Sequence, residues 1–370
     1  MKRALILGGT GVLGLAAAQR LLASGWQVDI TGRDPRKLPA SFTAAGARFI
    51  TSDRTDPADL ARAIGSGANL LIDAACYTAE HARLLLPQLG SVDSTVMLSS
   101  KAVYVDDAGN HVNSPTAPIF RTPIAESAPT LKPGHGDYRS ALGYGTNKVA
   151  AEHLLLDAGA NVSIIRPSKV HGPYAKNPRE WVFIKRILDH RPAVFLAQRG
   201  RGGDHTTASA NTAALIETVA AHPGTRILNS ADPDAPNALE ITRLIARHLG
   251  HSWHEIFVND DFIDDTFLTP AQLNTSHPTS TPQNSAIQDI AELGDHPWNY
   301  TPPIVLDTTA SLALGYRPVG SYAETIGAQI DWLLSSPSHQ PSAIDPYYAH
   351  FTNYRREDHY LQNHRLPALG

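Results

Sequence analysis

The chain has 370 residues, 42% hydrophobic and 18% charged, the composition of a globular enzyme able to bury a substantial core. Lys and Arg number 31 against 35 Asp and Glu, a formal charge of −4 without long runs of either sign, which argues against nucleic acid as a partner. The single cysteine, Cys76, excludes an internal disulfide and a cysteine zinc cluster and fits a reducing cytoplasm, and no stretch has the apolar length needed to cross a membrane.

The first predicted element is a strand over residues 3–7, followed by the turn Gly8-Gly-Thr10-Gly11-Val12-Leu13-Gly14 and a helix rich in Ala and Leu over 12–23. A basic start before small apolar residues superficially suits a secretion signal, but glycines at regular spacing fit strand, turn and helix better. Glycines at 8, 11 and 14 permit a tight turn, close approach of backbone to a pyrophosphate, and close helix-to-strand packing, while the helix N-terminus favours the anion. Dinucleotide binding is therefore expected, with a merely flexible glycine loop as the alternative.

A second strand over 27–31 runs into Gly32-Arg33-Asp34. In this kind of fold an acidic residue ending the second strand binds the adenosine ribose hydroxyls. Gly32 stands there instead, followed by Arg33, whose guanidinium suits a ribose phosphate. NADP(H) is expected, with Arg36 and Lys37 as helpers or as solvated helix-start charges; Asp34, one residue late, keeps NAD as the alternative.

Further strands are expected at 48–50, 69–74, 95–99 and 162–166, and helices at 57–64, 80–89 and 143–157. Strands alternating with helices of this length imply an α/β fold, a doubly wound parallel sheet of the Rossmann type. The strand over 95–99 ends in hydroxyls, with Ser100 at its mouth, where ligands sit in an open parallel sheet. Tyr144 and Lys148, four residues apart, project from one helix face, so an ammonium there is expected to lower the phenol's pKa. Such a tyrosine gives or takes the proton that accompanies hydride transfer. In isolation the spacing is weak evidence and most often that of a solvated helix face; the order of glycine turn, Ser100, Tyr144 and Lys148 gives it meaning.

Residues 106–139, rich in Pro, Gly and Asn, read as an irregular lid or specificity loop above the strand ends, with a surface insert as the alternative. Later helices are expected at 181–189, 211–221, 238–249 and 322–334, separated by polar, Pro-rich stretches at 269–284 and 295–303. The expected division is 1–170 for the dinucleotide-binding domain and 171–334 for a smaller α+β substrate region interleaved with it. Residues 335–370 show no periodicity, yet Tyr347, Tyr348, Phe351, Tyr354 and Tyr360 predict that this extension packs onto its own body or a second subunit. His248, His251 and His254 read as a solvated helix terminus, and no metal site is expected.

Together with Asp53 in 51–56, Asp73-Ala74-Ala75, 99–104, Arg166-Pro167 through Pro173, and 314–318, these motifs resemble the extended branch of the short-chain dehydrogenase/reductase superfamily, the NAD-dependent epimerase/dehydratase family, over most of residues 1–334. The resemblance implies that Asp53 contacts the adenine, that Ala74 and Ala75 line the adenosine side, and that Pro167 and Val170 lie against the nicotinamide. It further implies that Lys148 bonds the nicotinamide ribose as well as tuning Tyr144, and that Ser100 holds the substrate oxygen. Asp53 and Ser100 have plain alternatives as turn or strand-end caps, and Tyr104 as a packed aromatic. Lys101 and Ala102 stand where the family's dehydratases carry an acidic pair, which disfavours sugar dehydration. Lys169 stands where nucleotide-sugar enzymes carry Asn, and 205–213 lacks their Asp-containing motif, so a nucleotide-diphosphate handle is not supported. Lys101, Lys169 and His171 are candidate substrate contacts, with packing under Gly172-Pro173 the alternative for His171; Arg199 and Arg201 are further anion-binding candidates.

The expected function is that of an NADP(H)-dependent reductase or dehydrogenase of a small-molecule carbonyl/alcohol pair. Ser100 and Tyr144 would polarise the carbonyl oxygen and Tyr144 would supply the proton. One alternative is an epimerase of a sugar or sugar-like substrate with tightly held NAD. Another is a non-catalytic nucleotide-sensing or RNA-associated protein, against which the retention of Ser100, Tyr144 and Lys148 counts. The resemblance also implies a homodimer paired through two helices that face outward from the sheet.

Overall fold

The computed structural model describes residues 1–258, 263–264, 293–364 and 366; the predicted polar stretch at 269–284 lies outside the described residues. Strands β1 (Arg3–Leu7), β2 (Gln27–Gly32), β3 (Arg48–Thr51), β4 (Ala68–Asp73), β5 (Val92–Leu98) and β6 (Val162–Pro167) form where the apolar runs predict them. Later come β7 (Lys169–His171), β8 (Ala193–Ala197), β9 (Thr206–Ala208), β10 (Arg226–Ser230), β11 (His254–Val258) and β12 (Ile263–Asp264). The main sheet runs β10-β6-β5-β4-β1-β2-β3, every pairing parallel. Strand order reverses between β1 and β4, so a crevice opens at the carboxyl ends of those two strands.

Helices α1 (Val12–Ala23), α2 (Ala40–Ala44), α3 (Pro57–Ile64), α4 (Ala79–Leu85), α5 (Ala141–Leu156), α6 (Trp181–Leu188), α7 (Ser209–Ala221) and α8 (Ala238–His248) follow. Side chains alternate across the pleat: Ala4, Ile6, Ile72 and Val96 pack with Leu15, Ala18 and Leu21 of α1 and Leu215 and Val219 of α7. Leu5, Leu7, Leu71 and Met97 pack on the other face with Leu60 and Ile64 of α3, Leu85 of α4, and Ala151 and Leu155 of α5. Burial on both faces is what makes these strands continuous apolar runs in the sequence. Helix starts are set by short polar side chains: Asp56, Thr78 and Ser140 cap α3, α4 and α5 by accepting from the backbone N–H of Asp59, His81 and Gly143.

The chain divides into two units: Met1–Lys176 with His205–Ala235 and Ile304–Gln329, and Asn177–Asp204 with Pro236–Pro303 and Ile330–Gly370. The first therefore takes β10 and α7 from residues that the sequence reading assigned to the second region. The last helices are α9 (Thr309–Ala313), α10 (Tyr322–Leu334), α11 (Pro346–Phe351) and α12 (Arg355–Asn363). In the second unit β8 pairs with β11 and β11 with β12. The expectation of no periodicity beyond residue 335 is corrected by α11 and α12. Tyr360 of α12 packs edge-on against Phe195 of β8 at 5.3 Å, and Arg186 of α6 forms a buried ion pair with Glu357 at 2.8 Å. The three spaced histidines sit on different elements: His248 ends α8, His251 follows it, and His254 is buried in β11, which corrects the picture of one solvated terminus. Among the described residues no helix is long and apolar enough to cross a membrane, and no cluster of metal-ligating side chains occurs.

Candidate active site

The glycine turn leaves β1 at the crevice. Gly8 has φ +66°, and a Cβ there would lie 2.6 Å from Ala75 Cβ, while one on Gly14 would lie 2.6 Å from the Gly9 backbone. Gly11 differs, because its Cβ would meet nothing within 4 Å. That open space, at the N-terminus of α1, is a cradle for an anion, and the turn fits the pyrophosphate of a nicotinamide dinucleotide.

Two adjoining cavities share Gly8, Ala75 and Tyr77 in their walls. The first, about 310 Å³, includes Thr10, Arg33, Lys37, Asp53 and Tyr138. Asp53 accepts from the Thr55 N–H at 2.9 Å and hydroxyl at 2.7 Å, and these bonds hold its carboxyl below the usual range. Asp34 is tied back to Arg36, accepting from its N–H at 3.0 Å and from its guanidinium at 2.9 and 3.0 Å. Arg33 is exposed at the cavity wall. Arg54, absent from the sequence prediction, is buried beside it and donates to Asp73 at 2.5 Å.

The second cavity, about 260 Å³, is walled by Gly11, Val12, Leu13, Gly14 and Ala74 and by Tyr144 and Lys148. Ser100 caps the short helical turn Lys101–Val103 by accepting from Ala102 N–H at 3.1 Å, and its hydroxyl lies near enough to the Tyr144 phenol to favour the charged form. The turn can dock there because Gly145 follows Tyr144; a Cβ at 145 would lie 2.7 Å from Ala102 O. Tyr144 and Lys148 thus line one cavity with Ser100 next to Tyr144, and Ser100 serves as the cap of its turn.

The predicted tuning of Tyr144 by Lys148 is corrected. Burial raises the phenol's pKa, the neighbouring Ser100 hydroxyl opposes that rise, and burial lowers the pKa of Lys148. Physically, the ammonium is taken elsewhere: Lys148 Nζ donates to Cys76 O and Leu98 O, each at 2.8 Å, and lies 5.9 Å from the Tyr144 ring centre.

A buried network lies behind these groups. Glu152, one further turn along α5, accepts from the Ser99 hydroxyl and pairs with Arg166 at 2.5 Å. Burial lowers the pKa of that guanidinium, and the Glu152 carboxylate more than reverses the effect. Arg166 lies 4.9 Å from the Tyr104 ring centre, and the Tyr104 hydroxyl donates to Asn229 at 2.7 Å, which supports the packed-aromatic reading of Tyr104. The i, i+4 series from Tyr144 through Lys148 to Glu152 was the available sequence signal.

Other predicted residues lie apart from both cavity walls. Pro167 ends β6, and Val170 in β7 is paired with Thr207 of β9. Lys101 is buried in its turn and Lys169 is half-buried in β7. His171 is corrected from substrate contact to core: it is 1% exposed, bonded through Nε2 to Asp232 at 2.9 Å and set edge-on to Tyr322. Residues 106–139 are tied down rather than free. Asp106 accepts from Ala108, Asn110 and Ile119, Phe120 and Ile124 are buried, and Tyr138 and Arg139 reach the first cavity.

Solved structures similar in fold include a dTDP-glucose 4,6-dehydratase from Bacillus anthracis in complex with NAD (TM-score 0.62, 12% identity, 91% of this chain and 98% of that one). A UDP-glucose 4-epimerase from Thermotoga maritima with UDP-glucose gives TM-score 0.61 at 13% identity, over 90% and 99% of the two chains. A Burkholderia cenocepacia putative epimerase gives 0.64 at 17%, over 90% and 99%. A curated relative, the chloroplast stem-loop binding protein of 41 kDa b of Arabidopsis thaliana, is 27% identical over 228 residues, 57% of this chain; the match spans about half of the relative, 54% of its length. The model of the NAD dependent epimerase/dehydratase family matches residues 4–201, and the chain belongs to that family.

Proposed function

We propose that the chain is a nicotinamide-dependent enzyme that oxidises and re-reduces a secondary alcohol of a sugar or sugar-like molecule, an epimerase-type reaction. The observation that carries this reading is Tyr144 and Lys148 lining one cavity with the glycine turn, with the Ser100 hydroxyl beside the Tyr144 phenol. A bound nicotinamide ring would supply hydride acceptance and return. Tyr144 would take the hydroxyl proton on oxidation and give it back on reduction, and Ser100 would hold the same oxygen by a hydrogen bond. Lys148, fixed by two carbonyls, would present its remaining donor to a ribose hydroxyl. Asp53 would reach the adenine from the first cavity. Family membership and the similar dehydratase and epimerase folds support this over the net reductase that the sequence first suggests. Lys101 and Ala102, where a dehydratase has an acidic pair, favour epimerisation over water loss.

A second reading, net reduction with NADPH, draws on Arg33 and Lys37 in the wall of the first cavity and on Asp34 being held by Arg36. The two separate on nucleotide content and turnover. Epimerisation predicts that denatured protein releases stoichiometric NAD and that a sugar panel shows isomer exchange without net coenzyme reduction. Protein that carries no nucleotide and consumes NADPH with a carbonyl substrate would overturn it.

A further inference from the structure

Lys148 is surrounded by more than its helix neighbours. Its Nζ lies 4.6 Å from the centre of the Tyr77 ring, nearer than to the Tyr144 ring at 5.9 Å. It donates to the carbonyl of Cys76, the residue preceding Tyr77. Tyr77 is itself held: its N–H donates to His81 Nδ1 at 3.1 Å, and Tyr138 stacks on its ring with centres 5.2 Å apart and planes 17° off parallel. Tyr138 comes from the end of the 106–139 segment, so the ring beside the ammonium is clamped from both α4 and α5 approaches. An ammonium 2% exposed has lost its water, and two carbonyls leave part of its charge uncompensated. The negative face of an aromatic ring supplies attraction there in addition to that of the Asp73 and Glu152 carboxylates.

We propose that Tyr77, stacked on Tyr138, is a positioning residue that holds the Lys148 ammonium in place at the junction of the two cavities. The ring rather than the hydroxyl performs this task. Other titratable groups around Lys148 are the Cys76 thiol and Asp73 from the end of β4, His81 from α4, and Tyr144 and Glu152 from its own helix. None of these is altered by replacing Tyr77 with Phe or Leu. The role assigned to Lys148 rests on the coenzyme reading above, but the contact with Tyr77 does not.

The test follows the protonation of Lys148 directly. Lysine labelled isotopically at its ε carbon is incorporated, and the Lys148 resonance, identified by its loss in Lys148→Met, is titrated in coenzyme-free protein. Tyr77→Phe removes only the phenol hydroxyl, whose charge also favours the ammonium, whereas Tyr77→Leu removes the ring as well and should lower the midpoint by about one pH unit relative to Tyr77→Phe, the size of a desolvated cation–ring attraction. A midpoint in folded Tyr77→Leu equal to that of Tyr77→Phe overturns the proposal. Where that variant fails to fold, Tyr138→Leu releases only the half-buried stacking partner and should give a smaller downward shift; an unchanged midpoint there overturns the proposal too. Calorimetry with NAD⁺ and NADP⁺ runs in parallel. Wild-type protein that binds neither defeats the coenzyme reading and leaves the lysine titration to decide the role of Tyr77.

Discussion

Replacing each of the spaced glycines by alanine separates the folding role of the turn from its ligand role. A Cβ on Gly11 meets no atom within 4 Å, and its φ of −90° and ψ of 170° suit any residue. Alanine reduces unfolded-state freedom there but caps a helix less well than glycine, so the net change in unfolding free energy should stay within about 0.5 kcal/mol. The methyl group nevertheless fills the cradle at the start of α1. A pyrophosphate pushed off the helix N–H groups loses charge-assisted hydrogen bonds of about 1.5–3 kcal/mol each, which weakens coenzyme binding roughly tenfold to hundredfold. At Gly14 the same methyl meets the Gly9 Cα and O at 2.6 Å, so α1 must pull away from the turn at a cost of about 1–3 kcal/mol. At Gly8 the methyl meets Ala75 Cβ at 2.6 Å, and φ +66° adds strain of about 1–2 kcal/mol. Urea unfolding and calorimetric titration with NAD⁺ and NADP⁺ measure the two effects. Gly11→Ala protein that binds coenzyme as wild type does, or Gly14→Ala protein of unchanged stability, would refute the reasoning.

Tyr144→Phe should lower turnover by about 10²–10⁴-fold while leaving coenzyme affinity near wild type, as steady-state kinetics and calorimetry would register. Because burial disfavours the charged phenolate and raises the Tyr144 pKa above the ordinary tyrosine value, ultraviolet titration of coenzyme-free protein should show Tyr144 ionising later than an exposed tyrosine; a transition near neutrality, absent from Tyr144→Phe, would contradict this. Glu152→Leu strands a guanidinium only 4% exposed beside Ser99 and should destabilise the protein by about 3–5 kcal/mol in denaturant unfolding. Tyr360→Ala removes an aromatic side chain 7% exposed against Phe195 and should cost about 3 kcal/mol, read as a lower thermal midpoint; no change would mean that α12 does not stabilise its unit.

The parallel sheet was legible because β1, β4, β5 and β6 are buried on both faces and therefore read as unbroken apolar runs. β7 and β9 were not, since each is three residues long and each exists through pairing with the other across 36 residues of chain. The terminal helices escaped for a different reason. In α12 only Glu357 and Tyr360 are buried, a stripe one turn long within a strongly charged segment, and Glu357 is buried because Arg186 meets it. No local pattern announces a partner 171 positions away.

The same division runs through the site. Ser100, Tyr144 and Lys148 were readable because the first ends a strand and the other two share a helix face, both local facts. Where the Lys148 ammonium goes is a long-range fact, decided by the Leu98 carbonyl at the end of β5 and by Cys76 and Tyr77 after β4. Hence spacing named the groups, while burial rather than the lysine sets the direction of the phenol's shift. Burial presses both groups toward their neutral forms, raising one pKa and lowering the other. A cationic ring bound in the cavity that Tyr144 and Lys148 share would favour phenolate and ease deprotonation of the ammonium. On the proposed reading, Tyr144 would stay protonated until an oxidising coenzyme is seated, and would then abstract no proton before hydride has somewhere to go.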